Sequence, residues 1–406
     1  MNLREKLKKI TVEGGNRGNK DNQTSHNTLR ISLEGAIEIS NEAGGFLKKE
    51  KTYPLDYKHG IYKLSDINKL GPGGLSKLDS GGVSGVENIT PGDLLFVDTE
   101  TTGLMGGSGT LVFLVGIGYF DKSNFKIEQF LIRDFEDEPA MLFHLGNILK
   151  DYPAIVSFNG KSFDLPLLNS RFILNRFNPL EFENHIDLLY PARRVWNHLE
   201  SCALGSLEER VLNINRIDDL PGHEVPKTFF RFLNEKKGQL LQPVLKHNLL
   251  DILTLVTLMV HLVNAFSGVI ELTGEELYNL GKAHERDKNL MESIKCYEMA
   301  LKRTKNSCLR SKICHRLSWQ YKRAGRWKEA VTVWEEMISN NLGGIFPYVE
   351  LAKYYEHREK NLTRAFKYTE QALAYLNKYR ALTLNNEKRE ELIYRQNRIR
   401  HKLMRA

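Results

Sequence analysis

The feature of this sequence that most constrains its fold and chemistry is a pair of carboxylates directly after an apolar run. The run, residues 94–97, is typical of a buried strand, and Asp98, Thr99 and Glu100 follow it in the stretch FVDTETTGL. Because side chains alternate along a strand, Asp98 and Glu100 point to one face, where their like charges repel. The pair either faces water at the strand end or binds a divalent cation. Further ligands downstream decide between these two hypotheses.

The composition of the chain bounds its class and its compartment. Its 406 residues are enough for two or three domains, and 41% hydrophobic with 27% charged residues is ordinary for a soluble globular protein. The net charge of +8 favours an acidic partner, with nucleic acid ahead of a membrane surface. The four cysteines include no Cys-x-x-Cys pair, which argues against a zinc ribbon and fits a reducing compartment.

The chain shows no signal for membrane insertion or export. Its longest apolar run, residues 252–266, is too short to span a bilayer and contains His261. The N-terminal sequence MNLREKLKKI is not followed by a hydrophobic signal core or a small-residue cleavage site. We therefore expect a cytoplasmic protein that does not contact a membrane.

The pattern along the chain predicts four segments. Residues 1–30 are polar and predict a flexible basic arm, and residues 31–93 combine short strands with a Gly-rich linker at 71–93. Residues 94–267 alternate strand and helix patterns, which predicts an α/β domain with a mixed five-stranded sheet flanked by helices. Residues 272–406 carry helical patterns and predict an all-α domain.

The helical segment contains an internal repeat. Three copies follow from Leu277, and their spacing is close to the helix-turn-helix unit of about 34 residues found in tetratricopeptide repeats. Three units are the minimum that bury a continuous core, and a plain helical bundle also fits the pattern. We expect the repeats to bind a protein partner or to present a substrate. The repeating positions are Leu280, Gly281, Tyr297 and Ala300, then Leu317, Tyr321, Gly325, Ala330, Trp334 and Met337, then Leu351, Ala352, Tyr355, Ala365 and Ala372.

Another carboxylate follows a second apolar strand pattern. In SFNGKSFDLPLL the strand ends before Asn159, which begins a turn, and Asp164 falls at the start of a helix. An Asp at this position is most often a helix N-cap. A helix start above the neighbouring strand end also brings Asp164 toward Asp98 and Glu100. Asn159 either orients a substrate or holds the turn, and we expect Phe163 to pack beside it.

A histidine and an aspartate open the long apolar helix pattern of residues 246–266. His247 and Asp251 are four residues apart, so they share one face of the helix. On an otherwise buried helix such groups are costly unless they are paired or ligated. Either they cap the helix and bond each other, or they belong with the carboxylates upstream.

Two weaker candidates lie in the stretch NHIDLLYPARR. Asp187 falls near a strand end and is a candidate spare ligand or outer carboxylate of a metal site. Arg193 and Arg194 are candidate phosphate contacts, and surface solvation explains them equally well.

Four carboxylates in this sequence can share one site. Asp98, Glu100, Asp164 and Asp251 would repel one another strongly without a counter-charge. Hard oxygen ligands without cysteine select Mg²⁺ or Mn²⁺ over zinc. Two such ions suit an in-line displacement at phosphorus, in which one activates water and the other stabilises the leaving oxygen. His247 is then a natural general base for that water, because the ordinary pKa of a histidine lies near neutrality.

These stretches resemble known nuclease motifs. FVDTETTGL resembles the first exonuclease motif of the DEDD (DnaQ-like) 3′–5′ exonucleases, which have a ribonuclease H-like fold. FNGKSFDLPLL resembles their second motif, as found in the proofreading domains of family B polymerases, and HNLLDILTL resembles the third. The longer series HIDLLYPARRVW, ESCALGSLEERVL, RIDDLPGHEVP and HNLLDILTL is similar to the bacterial YprB family of ribonuclease H-like proteins with tetratricopeptide repeats.

The resemblance implies an α/β ribonuclease H-like domain over about 94–265, followed by tetratricopeptide-like repeats. It implies a metal-dependent 3′–5′ exonuclease that acts on a single strand or a 3′ end of DNA or RNA. The implied ligands of its two Mg²⁺ or Mn²⁺ ions are Asp98, Glu100, Asp164 and Asp251.

The resemblance also assigns a substrate cleft, and it departs from the family in one place. Thr101, Thr102 and Leu104 would line the cleft that receives the terminal nucleotide. These enzymes use either Tyr four residues before the last Asp or His five before it, whereas His247 stands four before Asp251. Because one residue of helix is about 100° of rotation, the assignment of His247 as general base depends on its geometry.

A second hypothesis comes from a different functional class. A degenerate, catalytically weak nuclease fold could serve as a scaffold that binds nucleic acid and recruits a protein partner through its repeats. The intact carboxylates argue against this hypothesis, because a protein without catalysis has no need of a repulsive cluster.

Overall fold

The computed structural model describes residues 33–71, 73–78, 88–103, 109–378 and 386–405. The predicted arm at 1–30, part of the predicted Gly-rich linker and Leu104 lie outside the described residues. The chain divides into two compact units. The first comprises the described residues up to Ala192 together with Ser201–Val269, and the second comprises Arg193–Glu200 and the residues from Ile270 onward.

A mixed sheet is the centre of the first unit. Its strands run in the order β1-β2-β7-β6-β5-β8-β9, while β3 pairs with β4 alone. Each neighbouring pair from β1 to β5 in this order is antiparallel, whereas β5 pairs with β8 and β8 pairs with β9 in parallel. In chain order the strands are β1 (Ala36–Asn41), β2 (Gly44–Pro54), β3 (Lys58–His59), β4 (Tyr62–Lys63), β5 (Leu94–Thr101), β6 (Val112–Asp121), β7 (Asn124–Leu131), β8 (Ala154–Ser157) and β9 (Asn184–Asp187).

The prediction of a five-stranded sheet is wrong, because an N-terminal hairpin adds two strands to one edge and makes seven. Strand β2 pairs with β7 over a long register, from Leu47 opposite Leu131 to Pro54 opposite Asn124. It also buries Phe46 and Tyr53. The hairpin therefore covers the backbone groups that β7 would otherwise expose at the sheet edge.

Helices cover this sheet, and the last of them is the longest. They are α1 (Glu138–Leu149), α2 (Asp164–Leu174), α3 (Leu189–Trp196), whose end belongs to the second unit, α4 (Leu204–Leu207), α5 (Val225–Glu235) and α6 (Gln242–Phe266). Helix α6 begins at Gln242 rather than near residue 246, with Pro243 in its first turn. His247 and Asp251 therefore lie inside the helix and do not cap it. Within the described residues, Gly238–Phe266 is the one helical stretch that is long and apolar enough to cross a membrane. The most apolar part of this stretch is 78% buried within the protein.

Two glycines of β6 allow α6 to lie close against the sheet. A Cβ atom at Gly116 would lie 2.1 Å from Asn248 Oδ1, and one at Gly118 would lie 2.5 Å from Ile252 Cγ2. Gly116 is the partner of Asp98 in the β5–β6 register. The small residue therefore brings an α6 side chain directly over the carboxylate of the neighbouring strand.

The second unit is helical, which confirms the prediction of a helical C-terminal region. Its helices pack as successive neighbours in chain order. The predicted repeat positions other than the exposed Gly325 face inward: a Cβ atom at Gly281 would lie 2.5 Å from the buried Tyr297 ring, and Leu317, Trp334 and Leu351 are buried. Their assignment to tetratricopeptide repeats stays a prediction. The helices are α7 (Gly274–Arg286), α8 (Leu290–Arg303), α9 (Ser307–Arg323), α10 (Trp327–Ser339), α11 (Phe346–His357), α12 (Leu362–Lys378) and α13 (Asn386–Leu403).

We predict that Gly116→Ala lowers the free energy of unfolding by about 1–3 kcal/mol, because the added methyl group overlaps Asn248. Urea unfolding followed by circular dichroism measures the change. Gly109→Ala is the matched control, because a Cβ atom there meets nothing within 4 Å. Equal stability of the two variants would contradict the close packing of α6 on β6.

Candidate active site

Strand β5 carries the first two carboxylates into the interior of the first unit. Asp98 lies opposite Gly116 and Glu100 opposite Leu114, and the register with β6 becomes irregular directly after Glu100. Glu100 is 8% exposed, and its Oε1 atom is buried without a hydrogen-bond partner among the described residues. An ionised oxygen in this position needs a counter-charge or a proton.

Asn248 of α6 holds the Asp98 side chain. Its Nδ2 atom lies 2.8 Å from Asp98 Oδ2, and its Oδ1 atom accepts a hydrogen bond of 2.8 Å from Gln129 Nε2. Asn248 is fully buried. The amide therefore links β5, β7 and α6 and fixes one oxygen of Asp98.

Asp164 reaches the same strand from the start of α2. Its Oδ1 atom accepts a hydrogen bond from Thr99 Oγ1, and its side chain is buried. Phe163, not Asp164, is the residue that precedes the helix. The structure thus ties Asp164 to β5, as expected from parallel strands β5 and β8 ending at one edge of the sheet.

His247 and Asp251 form a cluster with two residues from the segment before α5. His247 Nδ1 lies 2.8 Å from Asp219 Oδ2, and His247 Nε2 lies 3.6 Å from Asp251 Oδ2. The Arg216 guanidinium donates to Asp251 Oδ1, to Asp219 Oδ2 at 2.9 Å and to Glu208 Oε1 at 2.6 Å. His247 and Asp251 therefore face each other without a direct hydrogen bond. Arg216 contacts both of them, because its Nη1 atom also lies 3.3 Å from His247 Nδ1.

Burial and mutual repulsion make the carboxylates hold protons more tightly than usual. Burial, followed by the charges of Asp251, Glu100 and Asp164, raises the pKa of Asp98 well above its ordinary value. Burial and the neighbouring carboxylates also raise the pKa of Glu100, against the opposing charge of Arg216. Burial raises the pKa of Asp164 to about 6, although the Thr99 hydrogen bond acts in the other direction. The single positive charge of the Arg216 guanidinium does not neutralise these carboxylates together.

The donors present fit a divalent cation. Glu100, His247 and Asp251 each offer one ligand atom, and these atoms lie within 4.8 Å of one another. If His247 is neutral and its Nδ1 proton is bonded to Asp219, its Nε2 atom and the facing Asp251 oxygen are both acceptors. Together with the unpartnered Glu100 Oε1, they form a set of lone pairs that a cation, or a water molecule held by it, would satisfy.

Asp187 holds a turn, and its charge adds to the effect of burial in raising the pKa of Asp164. Its carboxylate accepts hydrogen bonds from the backbone N–H groups of Asn159 at 2.7 Å, Lys161 at 3.0 Å and Leu189 at 3.1 Å. Asn159 has a φ angle of +65°, which an Asn tolerates better than most residues. The turn leaves Asn159 exposed and Phe163 half-buried at the start of α2.

The remaining predicted site residues differ in their surroundings. The Thr101 hydroxyl donates to the carbonyl of Gly103, and the Thr102 hydroxyl accepts from the Leu111 N–H. Arg193 is exposed, whereas Arg194 is buried and pairs with Asp287 in the second unit. Both threonines thus shape the end of β5 through their hydroxyl groups, and the two arginines are not equivalent.

Four residues of this cluster were not predicted from the sequence. Asn248 was open to detection, because it is an amide inside an apolar helix pattern and adjoins His247. Arg216 and Asp219 lie in the charged stretch RIDDLP, and Glu208 lies in LEER, where hydrophobic periodicity gives no orientation. Their roles follow only from the way in which this segment returns to α6.

The comparisons with known proteins concern both units. Residues 95–263 match the RNase_H_2 model of the RNase_H superfamily. The chain is 31% identical over 366 residues to the "Uncharacterized protein YprB" of Bacillus subtilis (strain 168). The aligned region covers 88% of this chain and 86% of that protein. It is also similar to the family B DNA polymerase of Pyrobaculum calidifontis at 14% identity and a TM-score of 0.32, covering 48% of this chain and 29% of the polymerase chain.

We predict that, in EDTA, the unfolding free energy contributed by Asp164 falls as the pH rises. Its folded pKa of about 6 exceeds the ordinary value of 3.8, so the folded state binds the proton more tightly. This stabilising contribution is fully present below pH 3.8 and is lost as the pH rises through about 6. Because each unit of pKa difference corresponds to about 1.4 kcal/mol, the contribution amounts to about 3 kcal/mol.

Urea unfolding of the wild type and of Asp164→Asn between these pH values measures the difference. The variant should gain stability relative to the wild type as the pH rises, and the exposed-site control Asp151→Asn should not. A constant difference between wild type and Asp164→Asn across this range would contradict the raised pKa.

Proposed function

Because this chain belongs to the family of Bacillus subtilis YprB and carries a ribonuclease H superfamily domain, we propose that it is a metal-dependent nuclease. In finer terms, we propose a DEDD-type 3′–5′ exonuclease that hydrolyses phosphodiester bonds of DNA or RNA. The observation that carries this proposal is the group of Asp98, Glu100, Asp164 and Asp251, in which Glu100 and Asp164 are buried and the other two are half-buried. Burial and the neighbouring carboxylates raise the pKa values of Asp98, Glu100 and Asp164. Such a group is unfavourable without a cation and is suited to holding one.

The metal ligands in this proposal are the same four carboxylates. Mg²⁺ and Mn²⁺ are the proposed ions, because the donors are oxygens and at most one imidazole. When bound, two such ions would lower the pKa of a water molecule and stabilise the oxygen that leaves phosphorus. Asn248 and Thr99 would then hold Asp98 and Asp164 in place through the hydrogen bonds that they already make.

His247 is the proposed general base, and Asp219 is its positioning residue. The hydrogen bond of 2.8 Å from Nδ1 to Asp219 leaves Nε2 to accept a proton. Nε2 also points toward Asp251, at 3.6 Å from Oδ2. A water molecule at the carboxylate cluster would therefore lie within reach of Nε2, although the helical offset differs from that of related enzymes.

The substrate strand would enter beside the end of β5 and the turn after β8. We propose that Thr101 and Thr102 border the terminal nucleotide, with Asn159 and Phe163 as further substrate contacts. Leu104, which lies outside the described residues, stays a substrate contact implied by the sequence resemblance. Exposed Arg193 remains a candidate phosphate contact, whereas Arg194 is engaged with Asp287.

The class of the helical unit, its partner and the location of the protein complete the proposal. Its inward-facing Gly281 and Tyr297, with the chain-order packing of its helices, support tetratricopeptide-like repeats and a protein partner for them. The cysteines Cys202, Cys296, Cys308 and Cys314 form no disulfide bond, which is compatible with a cytoplasmic location.

We predict a ladder that shortens from the 3′ end when 5′-labelled single-stranded DNA or RNA is incubated with the protein and Mn²⁺ or Mg²⁺. EDTA and Asp98→Ala should each abolish it, because they remove the cation or one of its ligands. Asp151→Ala, at an exposed carboxylate of the same unit, should retain full activity. A circular single strand, which has no 3′ end, should remain intact.

Two outcomes would contradict parts of this proposal. Cleavage of the circular strand would leave a metal-dependent nuclease and exclude a strict exonuclease. No cleavage of any substrate, with binding retained in EDTA, would exclude the enzyme and favour the nucleic-acid-binding scaffold.

We predict that His247→Ala lowers kcat by about 10²- to 10⁴-fold, the usual contribution of a general base. Asp219→Asn should cause a smaller loss, because the imidazole stays but its orientation is no longer fixed. Calorimetric titration with Mn²⁺ should give nearly the wild-type affinity for both variants, and His223→Ala, at an exposed position, is the control. A large loss of Mn²⁺ affinity in His247→Ala would instead make the histidine a metal ligand.

A further inference from the structure

Basic and aromatic side chains form two stripes on the first helices of successive hairpins in the second unit. On α7 the positions are Tyr278, Lys282 and Arg286, spaced four residues apart, so that they lie on one side of the helix. On α9 they are Lys312, Arg316, Trp319 and Arg323, with helical spacing of four, three and four residues.

The two stripes are neighbours across the surface of this unit. Arg316 Nη1 of α9 lies 2.9 Å from Glu285 Oε2 of α7. Lys282 lies 4.9 Å from the centre of the Tyr278 ring, and burial followed by the charges of Arg316, Arg286 and Lys312 lowers the pKa of Lys282. The positive charges of both helices therefore act on one another at this surface.

Most of this positive charge is not neutralised. Arg286, Lys312 and Arg323 are exposed and form no ion pair with a carboxylate in the part of the chain that the structure describes, and neither does Lys282. Glu285 offsets Arg316 and also accepts from Tyr297. Like charges held together at a surface raise its affinity for a polyanion.

We propose that this surface, defined by Tyr278, Lys282, Arg286, Lys312, Arg316, Trp319 and Arg323, binds single-stranded nucleic acid. The cations would contact successive phosphates. Trp319 would offer a face to a base, because 42% of its surface is exposed within a row of cations. Lys322 lies over the same ring, at 4.3 Å from its centre. This inference rests on the proposed function in one respect, because a nuclease is a second reason to choose nucleic acid over an acidic protein segment.

Nucleic acid is favoured over an acidic peptide by the combination of charge and aromatic surface. Single-strand-binding proteins combine a basic groove with aromatic side chains on which bases stack, whereas carboxylates need only the cations. The helical unit would then hold part of the substrate of the nuclease unit. The second unit would thus add substrate affinity without adding a catalytic group.

The test is the affinity of the full-length protein in EDTA for a fluorescein-labelled single strand of about 20 nucleotides, followed by anisotropy. The triple variant Arg286→Glu, Lys312→Glu, Arg323→Glu should bind the strand at least about ten-fold more weakly than the wild type. The slope of log K against log salt concentration should become shallower by about two, because each lost phosphate contact contributes about 0.7. Trp319→Ala alone should weaken binding roughly ten-fold with an unchanged salt slope. Melting temperatures check that the variants are folded.

The matched control carries the same change of charge at exposed lysines outside the surface. Lys302→Glu, Lys305→Glu, Lys367→Glu should bind within about two-fold of the wild type. Equal weakening of both triple variants would overturn the proposal, because only net charge would then matter. Displacement of the oligonucleotide by poly-glutamate, together with wild-type affinity of Trp319→Ala, would overturn it in favour of an acidic protein partner.

The readout does not depend on catalysis. Weaker binding by the first triple variant supports the proposal even if the wild-type protein cleaves no substrate with Mn²⁺. Unchanged binding by that variant overturns the proposal even if the wild-type protein is an active nuclease. The two proposals therefore fail separately.

Discussion

Repulsion among buried carboxylates is the constraint on which the first unit depends. Asp98, Glu100 and Asp164 have raised pKa values because burial and their neighbours both disfavour ionisation. The surrounding structure reduces this cost with hydrogen bonds from Asn248 and Thr99. Buried polar groups of this kind are stable only when each has a partner, and Glu100 Oε1 has none among the described residues. The same features that burden the fold make the site suitable for a cation.

The packing of α6 follows from the same requirement. A helix that supplies Asn248 to Asp98 must lie close to the sheet, and Gly116 on β6 provides the space. The partner of Gly116 in the sheet is Asp98 itself, so the glycine and the carboxylate are coupled through one register. A single slip of β5 against β6 would turn Asp98 to the other face and remove its partner. Local strand pairing and the chemistry of the site are therefore set together.

The sequence predicted the parts of this structure that have strong local signals. The carboxylate pair after a buried strand, the helical second unit and the inward repeat positions came from period and composition. The strands β1 and β2 were recognised as strands, but their addition to the sheet depends on an unpaired edge at β7 that has no local signature. Arg216 and Asp219 were missed for the same reason. They come from an irregular segment, and only the folded chain brings them to His247 and Asp251.

The surroundings of Arg216 show why the site is suited to a cation. Its guanidinium bridges Glu208, Asp219 and Asp251, which already supply more negative charge than it carries. Asp98, Glu100 and Asp164 add to that excess from the sheet side. Protons can balance the excess only where the raised pKa values exceed the ambient pH, and for Asp164 that range ends near 6. At neutral pH Asp164 is therefore mostly ionised, and the oxygen donors around Glu100 and Asp251 are those that a hard divalent ion prefers.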